Sequence, residues 1–173
     1  MDTKELDFSG IDIAQNIDAA IKYFRCASNK TLLLMKNCGL TDESIEQIVT
    51  QMIEMLFTVD VLDLSHNKIT DDGCEHLSKL LLENKQIKEL NVSHNADIGR
   101  DGFRQLTKSI KKNTHLQVLS LQYCSIDLQQ RYEAILEDIS MNCTLVTLNL
   151  QGNHISDKFM HILENELGQN QSI

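Results

Sequence analysis

Leu62-Asp-Leu64-Ser-His-Asn67-Lys-Ile69 is the stretch on which the reading of this chain turns. Its form, L-x-L-x-x-N/C-x-I/L, returns at Leu33/Met35/Cys38/Leu40, Leu90/Val92/Asn95/Ile98, Leu119/Leu121/Cys124/Ile126 and Leu148/Leu150/Asn153/Ile155. A weaker first copy is Leu6/Phe8/Ile11/Ile13. The lead residues Leu6, Leu33, Leu62, Leu90, Leu119 and Leu148 stand 27 to 29 positions apart, so six copies occupy nearly all of the 173 residues. A fixed period of this length is the mark of a solenoid, in which one small unit is repeated and stacked.

Each unit changes its hydrophobic period halfway. The alternation around Val59, Leu62 and Leu64 predicts a short strand buried on one side, whereas Cys74, Leu77, Leu80, Leu81 or Phe103, Leu106, Ile110 follow a helical period. Thr70-Asp71-Asp72 is placed to cap such a helix, and Asn84-x-x-Ile87, Asn113-x-x-Leu116 and Asn142-x-x-Leu145 recur where helix gives way to the next strand. One unit cannot fold alone, because half a dozen apolar side chains at about 1.5–3 kcal/mol each oppose the ordering of nearly thirty residues. Stacking supplies the rest. The expected fold class is α/β: a right-handed β-α superhelix of about six 28–29-residue repeats, parallel strands on the concave face, helices on the convex face, in a single domain over residues 1–173.

The N/C position forms an expected structural ladder of Cys38, Asn67, Asn95, Cys124 and Asn153. A side chain turned inward where a strand ends can satisfy backbone groups that would otherwise be buried unpaired. The ladder cysteines are therefore read as core rather than reactive. Five cysteines, Cys26, Cys38, Cys74, Cys124 and Cys143, form no CxxC pair, which argues against a disulfide framework and a zinc ribbon.

Hydrophobic residues make up 42% and charged ones 24% of the chain, with no Pro or Trp, which argues against disorder. The opening Met1-Asp-Thr-Lys-Glu has no apolar run of a secretory signal and no segment is apolar for about 18 residues, so a cytoplasmic, or else nuclear, setting is expected. The N-x-S/T matches at Asn29, Asn91, Asn142 and Asn170 would matter only in a secreted protein. A net charge of −9 disfavours nucleic acid and anionic lipid as partners. The local basic run Arg100, Arg104, Lys108, Lys111, Lys112 reads as a solvated helix face.

Repeats of this length, with an Asn/Cys ladder and a full helix per unit, resemble the ribonuclease-inhibitor-like leucine-rich repeats over nearly the whole chain. That class also serves Ran GTPase-activating proteins, innate-immune receptors and the actin-capping domain of tropomodulins, so the resemblance implies a fold and leaves the function open. Ile11 in place of Asn/Cys marks the first repeat as an N-terminal cap, and Asn95-Ala-Asp-Ile98 inserts a residue that should make the fourth turn protrude. Asn170-Gln-Ser-Ile173 matches the opening of a seventh repeat, so self-association or further repeats are expected at the C-terminal end.

Strand residues between and just after the leucines should face the concave side. One column is Asp7, Leu34, Asp63, Asn91, Ser120, Asn149; the next is Ser9, Lys36, Ser65, Ser93, Gln122, Gln151; a rim follows at Gly10, Asn37, His66, His94, Tyr123, Gly152. Asp63, His66, Asn91, His94, Gln122 and Tyr123 are the candidate partner-binding residues, the rings being the largest groups on consecutive strands. His66 and His94 should lie about 5 Å apart, but no third ligand is placed beside them, so neither metal nor cofactor is expected. The remaining histidines, His76, His115, His154 and His161, are read as helix or turn residues.

No phosphate loop, G-x-S-x-G, H-E-x-x-H or nucleophile with its base is present, and the chain is read as no enzyme. The expected function is a protein-protein interaction scaffold whose concave strands bind a protein partner. The resemblance supplies two alternatives: activation of a small GTPase in the Ran manner, with Arg100 of the protruding turn reaching the partner's site, and a cytoskeletal, actin-capping scaffold.

Overall fold

Leucine sets the register of the sheet. In the computed structural model, which describes residues 4–24 and 31–167, Leu6, Leu33, Leu62, Leu90, Leu119 and Leu148 are successive partners across six parallel strands. These are β1 (Lys4–Asp7), β2 (Thr31–Leu34), β3 (Val59–Asp63), β4 (Glu89–Asn91), β5 (Val118–Ser120) and, after the two-residue strand β6 (Asp127–Leu128), β7 (Thr147–Asn149). The four inner leucines are at most 1% exposed, whereas Leu6 and Leu148, each with a neighbour on one side, are half-buried. Cys26, the matches at Asn29 and Asn170, and the Asn170–Ile173 pattern lie outside the described residues.

A helix follows each strand: α1 (Ile17–Phe24), α2 (Asp42–Glu54), α3 (Asp71–Glu83), α4 (Arg100–Ile110), α5 (Glu133–Ser140) and α6 (Asp157–Leu167). Their inner faces meet the leucine columns in one core, where the Phe24 and Phe57 rings stack at 5.1 Å. Helices are bulkier than strands spaced at about 4.8 Å, so the helical side is the wider and the sheet lies on the inside of the curve.

The helix starts are tied from repeat to repeat. Thr70 caps α3 by accepting from the Asp72 N–H at 3.2 Å, while the Asp42 carboxylate accepts from the Thr70 N–H and hydroxyl, both at 2.8 Å. Asp71 accepts in the same way from the Gly99 N–H at 2.7 Å. Such closeness needs small residues: a Cβ on Gly102 would stand 2.5 Å from the Asp71 Oδ1 and 3.1 Å from the Cys74 sulfur.

The helix ends carry their own asparagine series. Asn113 donates to the Leu81 carbonyl at 2.7 Å and accepts from the N–H groups of His115 and Leu116, which turns Leu116 into the core. Asn84 and Asn142 repeat this, donating to the carbonyls of Phe57 and Ile110.

The ladder at the other end of the strands is a second line of side-chain hydrogen bonds. The Asn67 amide donates to the Met35 and Leu64 carbonyls at 2.8 and 2.9 Å, and its oxygen accepts from Cys38 and Leu40 N–H groups at 2.9 and 3.1 Å. Asn95, fully buried, donates to Leu64 and Val92 and accepts from Ile69. Asn153 donates to Leu121 and Leu150 and accepts from Ile126. Cys38 and Cys124 point their thiols at carbonyls of the preceding repeat, Phe8 at 3.0 Å and Val92 at 3.6 Å. Burial raises both thiol pKa values, that of Cys124 to about 11.

Several local expectations change. Ile11, at the Asn/Cys position of the atypical first repeat, is 55% exposed, unlike the buried ladder residues Cys38, Asn67, Asn95 and Cys124. In the fourth turn Ala96 and Asp97 are exposed, yet Asp97 bridges to Thr70 and Ile98 returns fully buried, so the extra residue is held against the neighbouring repeat. His154 is in neither helix nor turn: it begins β8 (His154–Ile155), which pairs in parallel with β6. Periodicity gave no sign of this second, two-stranded sheet, because two residues are too few to show alternation.

Candidate functional site

The rim is built by the backbone before any side chain is considered. Gly10, Asn37, His66, His94, Tyr123 and Gly152 all have positive φ, between 51° and 78°. In each of the first five, the N–H donates to the next repeat's carbonyl: Lys36, Ser65, Ser93, Gln122 and Gln151, at 2.7 to 2.9 Å. The ladder thus runs past the last strand residue, and a left-handed turn then lifts the side chain out of the sheet plane. Glycine and asparagine take this conformation readily; a histidine or tyrosine does so at about 1–2 kcal/mol each.

At the three rim positions with rings, the common backbone stacks them. His66 and His94 lie with centroids 4.0 Å apart and planes at 12°; His94 and Tyr123 lie 4.8 Å apart at 20°. Gly152 closes the far end, since a Cβ there would meet the tyrosine ring at 2.4 Å. The edges of the rings remain accessible, Tyr123 being 47% exposed. Burial, then His94, then Lys36 hold the His66 pKa below its ordinary value, against a weaker upward pull from Asp63. No group of three or more His, Cys, Asp or Glu side chains suited to a metal occurs among the described residues.

Asp63 and Asn91 lie beside one another on β3 and β4, as the register required. Each also closes its own strand end: Asp63 Oδ1 accepts from the Ser65 N–H at 2.8 Å and Asn91 Oδ1 from the Ser93 N–H at 3.0 Å. Asp7 and Asn149 do the same with Ser9 and Gln151. The exposed column expected beyond them is interrupted, because Ser65 and Ser93 are buried, at 3% and 5% exposure. Short side chains there sit below their larger neighbours, and the Ser93 hydroxyl accepts from the Gln122 N–H at 3.0 Å. A shallow depression of about 210 Å³ opens between Lys36, Asp63, Asn91, Gln122 and the two histidines.

One column escaped the sequence reading. Glu5, Leu32, Val61, Glu89, Val118 and Thr147 are successive partners one residue before the leucines and face the same side as Asp63. Leu32, Val61 and Val118 are only half-buried there. In sequence they merge with the leucines into apolar runs; only the pleat separates them.

A family model described as Leucine Rich repeat matches residues 57–78, 112–128 and 142–158. Comparison with curated proteins gives no match. Among solved structures, the leiomodin-1 actin-binding site 2 is similar with a TM-score of 0.64 at 17% identity, over 91% of this chain and 88% of that one. The tropomodulin C-terminal domain of Caenorhabditis elegans is similar with a TM-score of 0.72 at 16% identity, over 90% of this chain and 93% of that one. At such identities the likeness is one of fold: a leucine-rich-repeat solenoid, with parallel strands alternating with helices.

Proposed function

We propose that this chain is a protein-interaction scaffold whose concave strand face, centred on Asp63, His66, Asn91, His94, Gln122 and Tyr123, docks a folded protein partner. The observation that carries the reading is the ring stack: three large side chains are held by left-handed turns in one row, with edges open and faces already paired. Rigid rings lose little freedom on binding, which suits them as anchors. No constellation of nucleophile, base and orienter stands on this face, so binding rather than catalysis is the activity assigned. Among the described residues no helix is long and apolar enough to cross a membrane, and a cytoplasmic protein partner is the setting proposed.

The repeats are assigned to the ribonuclease-inhibitor-like class on their 27–29-residue spacing, one helix per unit and the Asn/Cys ladder. Actin is the first partner to try, because the leiomodin-1 domain of similar fold is named an actin-binding site. The Ran-type alternative loses its main support, since Arg100 is not at the tip of a protruding turn but in the first turn of α4, half-buried. The test is a direct comparison of wild type with H66A/H94A/Y123A, in actin co-sedimentation and in partner capture from the source cell. Loss of a partner by the variant, with an unchanged thermal transition, is the expected result; equal recovery of every partner overturns the reading.

A further inference from the structure

We infer that the partner surface which fits this concave face is basic with aliphatic side chains at its centre; this rests on the concave face being the docking surface. The column Glu5, Leu32, Val61, Glu89, Val118 sets half-buried aliphatic groups, Leu32, Val61 and Val118, beside two carboxylates, and Asp7, Leu34, Asp63 run next to it two residues further along the strands. Among the described residues, four carboxylates therefore share this face with one unpaired cation, Lys36, since Lys88 at its margin is taken by Asp60 at 3.3 Å. None of Glu5, Asp7, Asp63 or Glu89 is in an ion pair among the described residues.

Any partner that covers Leu32 and Val61 must also strip water from Asp63 and Glu89, their neighbours in the sheet. An acidic or wholly apolar partner would leave those charges buried without compensation; lysine or arginine flanking aliphatic groups would pair them. Two of the carboxylates are already fixed, Asp7 and Asp63 each accepting a backbone N–H through Oδ1. The overall charge of −9 steers the same class of partner towards the chain.

Two synthetic 18-residue helical peptides test this at physiological salt by fluorescence anisotropy, one of leucine and lysine, the other of leucine and glutamate. Each is titrated onto wild type, onto D63N/E89K, and onto E46K/E75Q, which changes the charge equally on the exposed helical side. Asparagine at 63 keeps the turn closed, as Asn91 does in the next repeat. Losing two ion pairs should weaken the lysine peptide about tenfold in D63N/E89K and less than about twofold in E46K/E75Q. Equal weakening by both variants, no binding of the lysine peptide, or equal binding of the glutamate peptide overturns the inference. Such a failure, with partner capture still lost in H66A/H94A/Y123A, removes the basic partner alone; unchanged capture by that variant removes the docking face itself.

Discussion

Asn95 shows how one residue can join two repeats: its amide reaches carbonyls in both, and its oxygen holds Ile69. Asn95→Ala would leave three buried backbone groups without these partners, and about 2–4 kcal/mol of stability should be lost in urea unfolding, against less than about 0.5 for exposed Lys112→Ala. His66 makes a pH prediction. Its folded pKa lies below the ordinary value, so its contribution to stability is present above the unfolded pKa and declines as pH falls through it, because the unfolded chain then binds the proton more readily. NMR titration should place His66 below free histidine, and His94→Ala should raise it. Among the described cysteines, Cys143 is exposed while Cys38, Cys74 and Cys124 are buried, with thiol pKa values raised by burial. Peptide mapping after brief alkylation of the native protein should find the label on Cys143 and not on those three.

At the scale of elements, helix starts are where packing overrides propensity. Gly102 sits in α4, where alanine would ordinarily gain about 1 kcal/mol, but its Cβ would strike Asp71 and Cys74. Gly102→Ala should therefore lower the melting temperature, by about 1–3 kcal/mol of stability in a thermal scan. The strands and the leucine register were legible in the sequence because Leu62-x-Leu64 and its copies repeat a two-residue alternation that only a pleat explains. The apolar column of Leu32, Val61 and Val118 was not, since an aliphatic residue next to a core leucine looks like more core. Ser65 and Ser93 misled in the opposite sense: the strand register placed them on the exposed face, while their small volume put them beneath the surface. The left-handed rim was signalled by Gly10, Asn37 and Gly152, and His66, His94 and Tyr123 disguised it with residues that seldom accept such a turn.

Over the whole molecule, every repeat leans on its neighbours, and among the described residues the outer strands β1 and β7 have a sheet partner on one side only. Stability in such a stack is greatest where both sides are covered. Hydrogen exchange should protect the amides of Leu62, Leu90 and Leu119 longest, with those of Leu6 and Leu148 opening first. The rim has a different consequence. Because one turn geometry recurs at residues 10, 37, 66, 94, 123 and 152 under glycine, asparagine, histidine and tyrosine alike, the three ring positions do not set the architecture. The solenoid thus separates its grammar from its vocabulary: rings at three positions can be rewritten, with glycine or asparagine even easing the turn, and what changes is the partner addressed while the fold that speaks stays the same.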